Sequence, residues 1–321
     1  MRPIIEFAGR NRLQNVPVKV VLNFEVYVRT VRRHRAVITP PKNKSVTPQS
    51  RLLPMTSPAT YLTWIALVPV CSFAIFAQGG PPLLTDDPGT PGNRNWEINI
   101  ASTQFVSPGE NEIEMPLLDI NYGLGDRIQL KYEVPYLLDQ DAGGPYRSGL
   151  GNSLLGVKWR FYQQSDEKGW NISTYPQVEV NNPDNSLPRG LVDRGPRFLL
   201  PVEITKVFGP VKLNFEGGYW WTQEASNERI LGLAVGHQFT KRFEGLSEIY
   251  DDVILGGTAR STTFDIGGRY EFHKGLLILF MAGRRIIGSG PVNGQPSLIG
   301  YLGLQIQLKH DKKKRDGGTS D

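Results

Sequence analysis

Side-chain catalysis needs a nucleophile, a base within hydrogen-bond reach and a third group to orient that base, and this sequence is poor in bases. Its four histidines are His34, His237, His273 and His310. His310 falls in a basic tail, and His273 and His237 fall in or beside short turns, so no serine and histidine are brought together where a lipid hydrolase would need them. Metal chemistry fares no better. Cys71 is the single cysteine, no close His or Cys cluster occurs, and Asp86-Asp87 and Asp251-Asp252 read as turn caps rather than ligand pairs. The glycine pairs Gly143-Gly144, Gly217-Gly218, Gly256-Gly257 and Gly267-Gly268 lack the lysine and the strand-loop-helix setting of a phosphate loop, so they read as turns and close strand approaches. Tyr219-Trp220-Trp221 could stack an aromatic solute, but a period of two turns Tyr219 and Trp221 one way and Trp220 the other. The residues therefore imply no enzyme, no cofactor and no metal.

The charges are more telling, because they alternate with apolar residues. In DRIQLKYEVPY, Ile128, Leu130, Tyr132 and Val134 fall on one face, and Arg127, Gln129, Lys131 and Glu133 on the other. The same pattern runs through WEINI, VKLNFEGGYWW and TFDIGGRYEF. One face suits lipid and the other water. Carried along the chain, this alternation turns Glu97, Lys131, Glu133, Lys158, Arg160, Glu179, Glu203, Glu216, Glu248, Asp265 and Arg269 inward as lumen-lining residues. Trp96, Tyr122, Trp159, Tyr219 and Trp221 become candidates for aromatic girdles at the membrane interfaces.

The elements that must hold those faces are strands. After Gln78 the chain divides into segments that start near Arg94, Asn111, Asp126, Asn152, Trp170, Arg197, Pro210, Glu228, Arg242, Ser261, Gly275 and Ser297. They number about twelve, an even count that returns both ends to one side of a membrane. Short connections such as GLGD, FG, TK and HK alternate with longer ones such as LLDQDAGGPYRSGLG, NNPDNSLPRGLVDRG and IIGSGPVNGQP. That parity predicts an all-β fold, an up-and-down antiparallel transmembrane β-barrel with short periplasmic turns and longer outer loops. Pro116, Pro135, Pro176 and Pro201 sit in or near strands, where each removes a ladder hydrogen bond.

Export explains the rest. Residues 61–77, YLTWIALVPVCSFAIFA, have the length of a signal-peptide apolar region, and the composition changes abruptly to PPLLTDDPGTPGN just beyond. The expected organisation is a mis-assigned or disordered extension over 1–54, with Met55 as an alternative start, a signal peptide over 55–77 and a periplasmic segment over 78–93. The barrel then covers 94–308 and a basic disordered tail 309–321. The net charge of +5 does not point to nucleic acid, because residues 1–54 hold 11 Lys and Arg against 2 acids while the body between the two ends is acidic.

At GPPLLTDDPGTPGNRNWEINIAS, GLGNSLLGVKWRFYQ and FLLPVEITKVFGPVKLNFEGGYWW the chain resembles an outer-membrane β-barrel family labelled as transporters of the meta-pathway of phenol degradation. The resemblance covers about 79–308, and Thr85-Asp86-Asp87-Pro88 and 149–161 are its most specific parts. It implies an outer-membrane location, passage of small solutes with aromatic or apolar ones among them, and outer-membrane lipid and the barrel-assembly machinery as partners. A plugged barrel with a structural or binding role is the competing expectation, with a lipid hydrolase behind it.

Overall fold

A computed structural model describes residues 80–141, 143–164, 169–223, 225–257, 259–289 and 296–310. The expected extension over 1–54, the signal peptide, the cleavage point near Gln78 and the tail beyond His310 lie outside the described residues. Fourteen strand segments follow in order: β1 (Trp96–Ser107), β2 (Glu110–Leu124), β3 (Ile128–Asp141), β4 (Arg147–Leu150), β5 (Ser153–Gln163), β6 (Trp170–Thr174) and β7 (Gln177–Val180). Then come β8 (Arg197–Phe208), β9 (Val211–Thr222), β10 (Glu228–Thr240), β11 (Phe243–Ile254), β12 (Arg260–His273), β13 (Leu276–Ser289) and β14 (Leu298–Leu308).

Two pairs of segments are single staves. Both β4 and β5 pair with β3, and both β6 and β7 lie between β5 and β8. The wall therefore has twelve antiparallel staves, and it closes where β1 pairs with β14 from Trp96 opposite Leu308 to Val106 opposite Leu298. Closure matters because lipid offers no hydrogen bonds, so an open edge would leave a row of unsatisfied backbone groups.

The alternation divides the side chains as a barrel requires. On β1, Trp96 and Ile100 are exposed whereas Glu97, Asn99 and Ala101 are buried. On β9, Leu213 and Phe215 are exposed whereas Lys212, Asn214 and Glu216 are buried. A protein whose exposed face is Leu, Phe and Val and whose buried face is Glu, Asn and Lys is turned inside out relative to a soluble one, and lipid is the solvent that makes this favourable.

The prolines sit where the ladder is already broken. Pro116 lies in the irregular step of β2 between Glu114 and Leu117, and Pro176 separates β6 from β7. Thr174 pairs with Val202 and Gln177 with Leu199, which puts Pro201 of β8 opposite that same gap. Its missing N–H thus faces no acceptor.

Three details differ from the sequence reading. The fourth stave begins at Arg147 rather than near Asn152, because β3 runs on to Asp141 and pairs Tyr136–Asp139 with Arg147–Leu150. Much of the expected long loop at 137–151 is therefore strand. The first outer connection is also tight, since Ser107 and Glu110 pair directly across Pro108-Gly109. The third detail concerns residues 78–93, expected in the periplasm. The structure seats the described part of that segment inside the barrel wall.

Candidate functional site

The interior is built from both sectors of the wall and from the segment that precedes β1. Across β3 to β9 the inner face is charged. Lys131 meets Glu133 at 2.7 Å and Asp119 at 3.6 Å, and Lys158 meets Asp86 at 2.7 Å and Glu203 at 3.9 Å. Lys158 and Glu203 are both buried, Ser173 donates a hydrogen bond to Glu203, and the Lys158 ammonium lies 4.5 Å from the Tyr175 ring centroid. Such a pair in a dry interior is tolerable only because each charge has a partner.

The other sector, reached from β2 through β1 and β14 to β10, carries an apolar cluster of Leu117, Ala101, Ile299, Tyr301, Met281, Leu279, Leu246 and Ala234. The residues singled out from the sequence as lumen-lining are all charged, and these apolar ones add to them; on β13 they escape the alternation because Leu276–Ala282 is apolar on both faces.

Into this interior folds the segment Gly80–Asn95. The Leu84 and Thr85 amides donate to the two oxygens of Glu248 at 2.7 and 2.8 Å, and the Asp86 amide donates to Glu216 at 2.8 Å. Lys158 adds hydrogen bonds from Nζ to the Asp86 carboxylate and to the Asp87 carbonyl at 2.6 Å. Arg269 donates to the Gly80 and Pro81 carbonyls at 2.9 and 3.0 Å. Leu83 joins the apolar cluster. The segment therefore spans both sectors, apolar residue against apolar wall and carboxylate against ammonium. Asp86 and Asp87, read from the sequence as solvated turn caps, are instead held inside, with Asp87 buried and its Oδ1 accepting from the Gly89 amide.

Two glycines of the wall make the fit possible. A Cβ added to Gly232 would lie 2.2 Å from Thr85 Oγ1 and 3.0 Å from Thr85 Cβ, and one added to Gly123 would lie 1.8 Å from the Gly92 carbonyl oxygen. Ordinary side chains at these inward positions would collide with the segment.

The remaining inward residues form their own network. Asn99 and Asn121 each donate to Asp119 at 3.0 Å, Gln129 donates to Asn121 at 2.7 Å and to the Tyr175 hydroxyl at 3.1 Å, and Gln305 donates to Asn99 at 3.1 Å. Glu97 is buried beside this group. Glu248 and Asp265 are cross-strand neighbours, Arg269 pairs with Glu244 at 3.3 Å, and Arg197 contacts Glu179 at 3.8 Å and Glu228 at 2.9 Å. Arg160 stands at the turn end, where it donates to the Asp126 carbonyl at 2.6 Å.

The opposite end is narrowed from within as well. A Cβ on Gly149 would meet Ser186 Oγ at 2.6 Å and Leu191 at 2.9 Å, so the 181–196 connection folds back over β4. Both Ser186 and Leu191 are buried. The Ser186 hydroxyl and amide donate to Asp184, and the hydroxyl bond in particular holds that carboxyl below its ordinary range. Glu110, Asp139 and Asp141 converge at the same end with ligand atoms within 4.8 Å, a group the sequence did not single out, and the Arg147 guanidinium contacts both aspartates.

On the outer face, Trp96 packs tilted against Tyr122, with ring centroids 4.6 Å apart, near the turn end, and Trp159 and Trp170 are exposed at the same end. Toward the loop end, Tyr219 lies 4.6 Å from Trp221, which lies 5.7 Å from Phe198. Trp220 faces inward under the Arg197 guanidinium. His237 packs edge-on against Phe239, and His273 contacts the Lys274 carbonyl, so among the described residues neither ring is set against a serine.

The fold is similar to that of the COG4313 outer membrane channel from Pseudomonas putida F1, with a TM-score of 0.56, 13% identity and coverage of 70% of this chain and 98% of that one. It is also matched by the NanC porin, at a TM-score of 0.48, 10% identity and coverage of 66% and 100%, and by the KdgM porin, at 0.48, 11%, 67% and 99%. The first of these likenesses carries the fold, that of an outer-membrane β-barrel. No family model matches the chain, and no curated protein does. The comparisons thus bear on the barrel fold and do not reach the narrower label for phenol degradation.

Proposed function

We propose that the protein is an outer-membrane channel closed by its own N-terminal segment, and that it passes small solutes with an aromatic or apolar body and a polar group. The observation that carries this reading is the seating of Leu84, Thr85 and Asp86 by their backbone amides on Glu248 and Glu216. Irregular backbone is stable at membrane depth only inside protein or along a cavity, so a segment held there by a few hydrogen bonds fills a path rather than forming the wall. With the segment withdrawn, Leu246, Leu279, Met281, Ile299 and Tyr301 would line the lumen as an apolar cluster among the charges of Lys158, Glu203, Glu216 and Glu248. That pairing of surfaces suits a phenol-like solute better than a bare ion, which favours the solute class implied by the family label. The inward residues from Glu97 to Arg269 then line the path, and the two aromatic groups, Trp96, Tyr122 and Trp159 at one end and Tyr219 and Trp221 at the other, anchor the barrel at the two interfaces. Its role is transport without catalysis.

Liposome swelling tests the reading. Vesicles carrying the protein should admit small aromatic acids faster than sugars of equal mass, and a form lacking residues 80–91 should admit both faster. A folded barrel that leaks in neither form would replace transport with a structural or binding role.

A further inference from the structure

The outer face of β10, β11 and β12 carries a charged group that the lumen does not explain. The pairing row Arg229, Val253, Arg260 crosses these three strands near the loop end, and the next row is Leu231, Asp251, Thr262. The row below that is Leu233, Ile249, Phe264, with exposures of 51%, 46% and 42%. Because side chains two residues apart share a face, Arg229, Asp251, Arg260 and Thr262 point outward with those apolar residues. Polar side chains on the lipid face are costly in the hydrocarbon and nearly free at the interface, so this charged group, with Arg284 paired beside Phe264, marks where the headgroup region begins.

Asp251 is buried by its neighbours. Its Oδ1 accepts from Arg260 Nε at 2.7 Å and from Thr262 Oγ1 at 2.7 Å, and its Oδ2 accepts from Arg229 Nη2 at 3.4 Å. The carboxylate is thereby used up in holding two guanidiniums toward one point, while both arginine side chains stay nearly half exposed, 46% and 48%. The group keeps one net positive charge and free N–H edges on its outer side. Tyr219 pairs with Arg229 on the neighbouring strand and brings the Tyr219–Trp221 aromatic pair alongside.

The geometry points to a binding site for a phosphate carried on a glycolipid of the outer leaflet, with Arg229 and Arg260 as the phosphate ligands and Asp251 and Thr262 as the residues that position them. Guanidinium suits this ligand because its planar fork donates two parallel hydrogen bonds to phosphate oxygens. The loop end faces the outer leaflet by the rule that outer loops are the long ones. This site is independent of whether the lumen conducts.

The test uses the full barrel in detergent. Binding of a phosphorylated glycolipid, its dephosphorylated counterpart and inorganic phosphate would each be followed by native mass spectrometry and by the temperature at which the folded band is lost on gels. The phosphorylated lipid should bind at least 10-fold more tightly than the dephosphorylated one. Arg229→Gln/Arg260→Gln should abolish that difference, while Arg242→Gln/Lys274→Gln, which removes the same charge from the turn end, should keep it. Equal binding of the two lipids by the native protein, or an unchanged preference in the first double variant, would overturn the proposal. Equal protection by inorganic phosphate alone would overturn the lipid as its ligand.

Discussion

Replacing Gly232 with alanine should open the barrel without damaging its wall. Gly232 sits mid-strand in β10, paired with Glu216 and Tyr250, where alanine is an acceptable strand residue. Its new methyl would stand 2.2 Å from Thr85 Oγ1, 3.0 Å from Cβ and 3.1 Å from Cγ2, so no rotation of the threonine side chain clears it. Restoring ordinary contact requires a backbone displacement of about 1 Å. The Thr85 amide lies 2.8 Å from Glu248 Oε2, and a movement of that size takes it beyond hydrogen-bond range. A hydrogen bond to a charged acceptor contributes about 1.5 to 3 kcal/mol, so its loss should raise the fraction of barrels with the segment unseated by roughly 10- to 150-fold. Single-channel recording in planar bilayers would read this as a matching rise in open probability. The pair Gly232→Ala/Thr85→Gly should return to the native level, because removing the threonine side chain makes room for the methyl. A folded Gly232→Ala barrel with native gating would show that this contact does not hold the segment.

Lys158→Met should lower the unfolding temperature and raise the conductance together, since it strips the partner from Asp86 and Glu203; loss of one member of a buried pair costs about 3 to 5 kcal/mol. Native values for both would refute the assigned role of Lys158. Leu130→Arg, on the exposed face of β3, should impair assembly by roughly 2 to 4 kcal/mol, whereas Lys131→Arg on the inner face, which keeps the charge beside Glu133 and Asp119, should be tolerated. Equal yields of folded barrel from the two variants would refute the assigned register. Sequencing the N-terminus of the envelope protein should find a start near Gln78, and a start at Met1 would remove the signal peptide from the account.

The strands were legible because their information is local. A period of two in Arg127–Val134 or Val211–Trp221 states which face meets lipid, and the ladder then fixes each neighbour, so the positions of most staves follow from the alternation. The fourth stave begins five residues earlier than its alternation indicates, because Arg147–Leu150 has too little alternation to declare itself, and only pairing with Tyr136–Asp139 makes it a strand. The segment inside the barrel was not legible at all by periodicity. Its partners Glu216 and Glu248 are 130 and 163 residues from Asp86 and Thr85, and nothing in TDDPG alternates.

A signal was nonetheless present in what the strands lacked. Carboxylates that face inward from a closed barrel need donors, and they take them from inward side chains, as Glu203 does from Ser173, or from backbone outside the ladder, because in a closed sheet each strand N–H is already given to a neighbouring carbonyl. Glu216 and Glu248 accept theirs from backbone outside the ladder. The segment ahead of β1 is suited to give them, since Pro81, Pro82, Pro88 and Pro91 prevent it from forming a helix or joining the sheet and so leave its remaining amides uncommitted. Glycines at inward positions, Gly123 and Gly232 among them, mark where such backbone passes close to the wall. Surplus inward acids, inward glycines and a proline-rich stretch that no strand claims thus point jointly to backbone folded within the barrel, even though none of the three does so by itself.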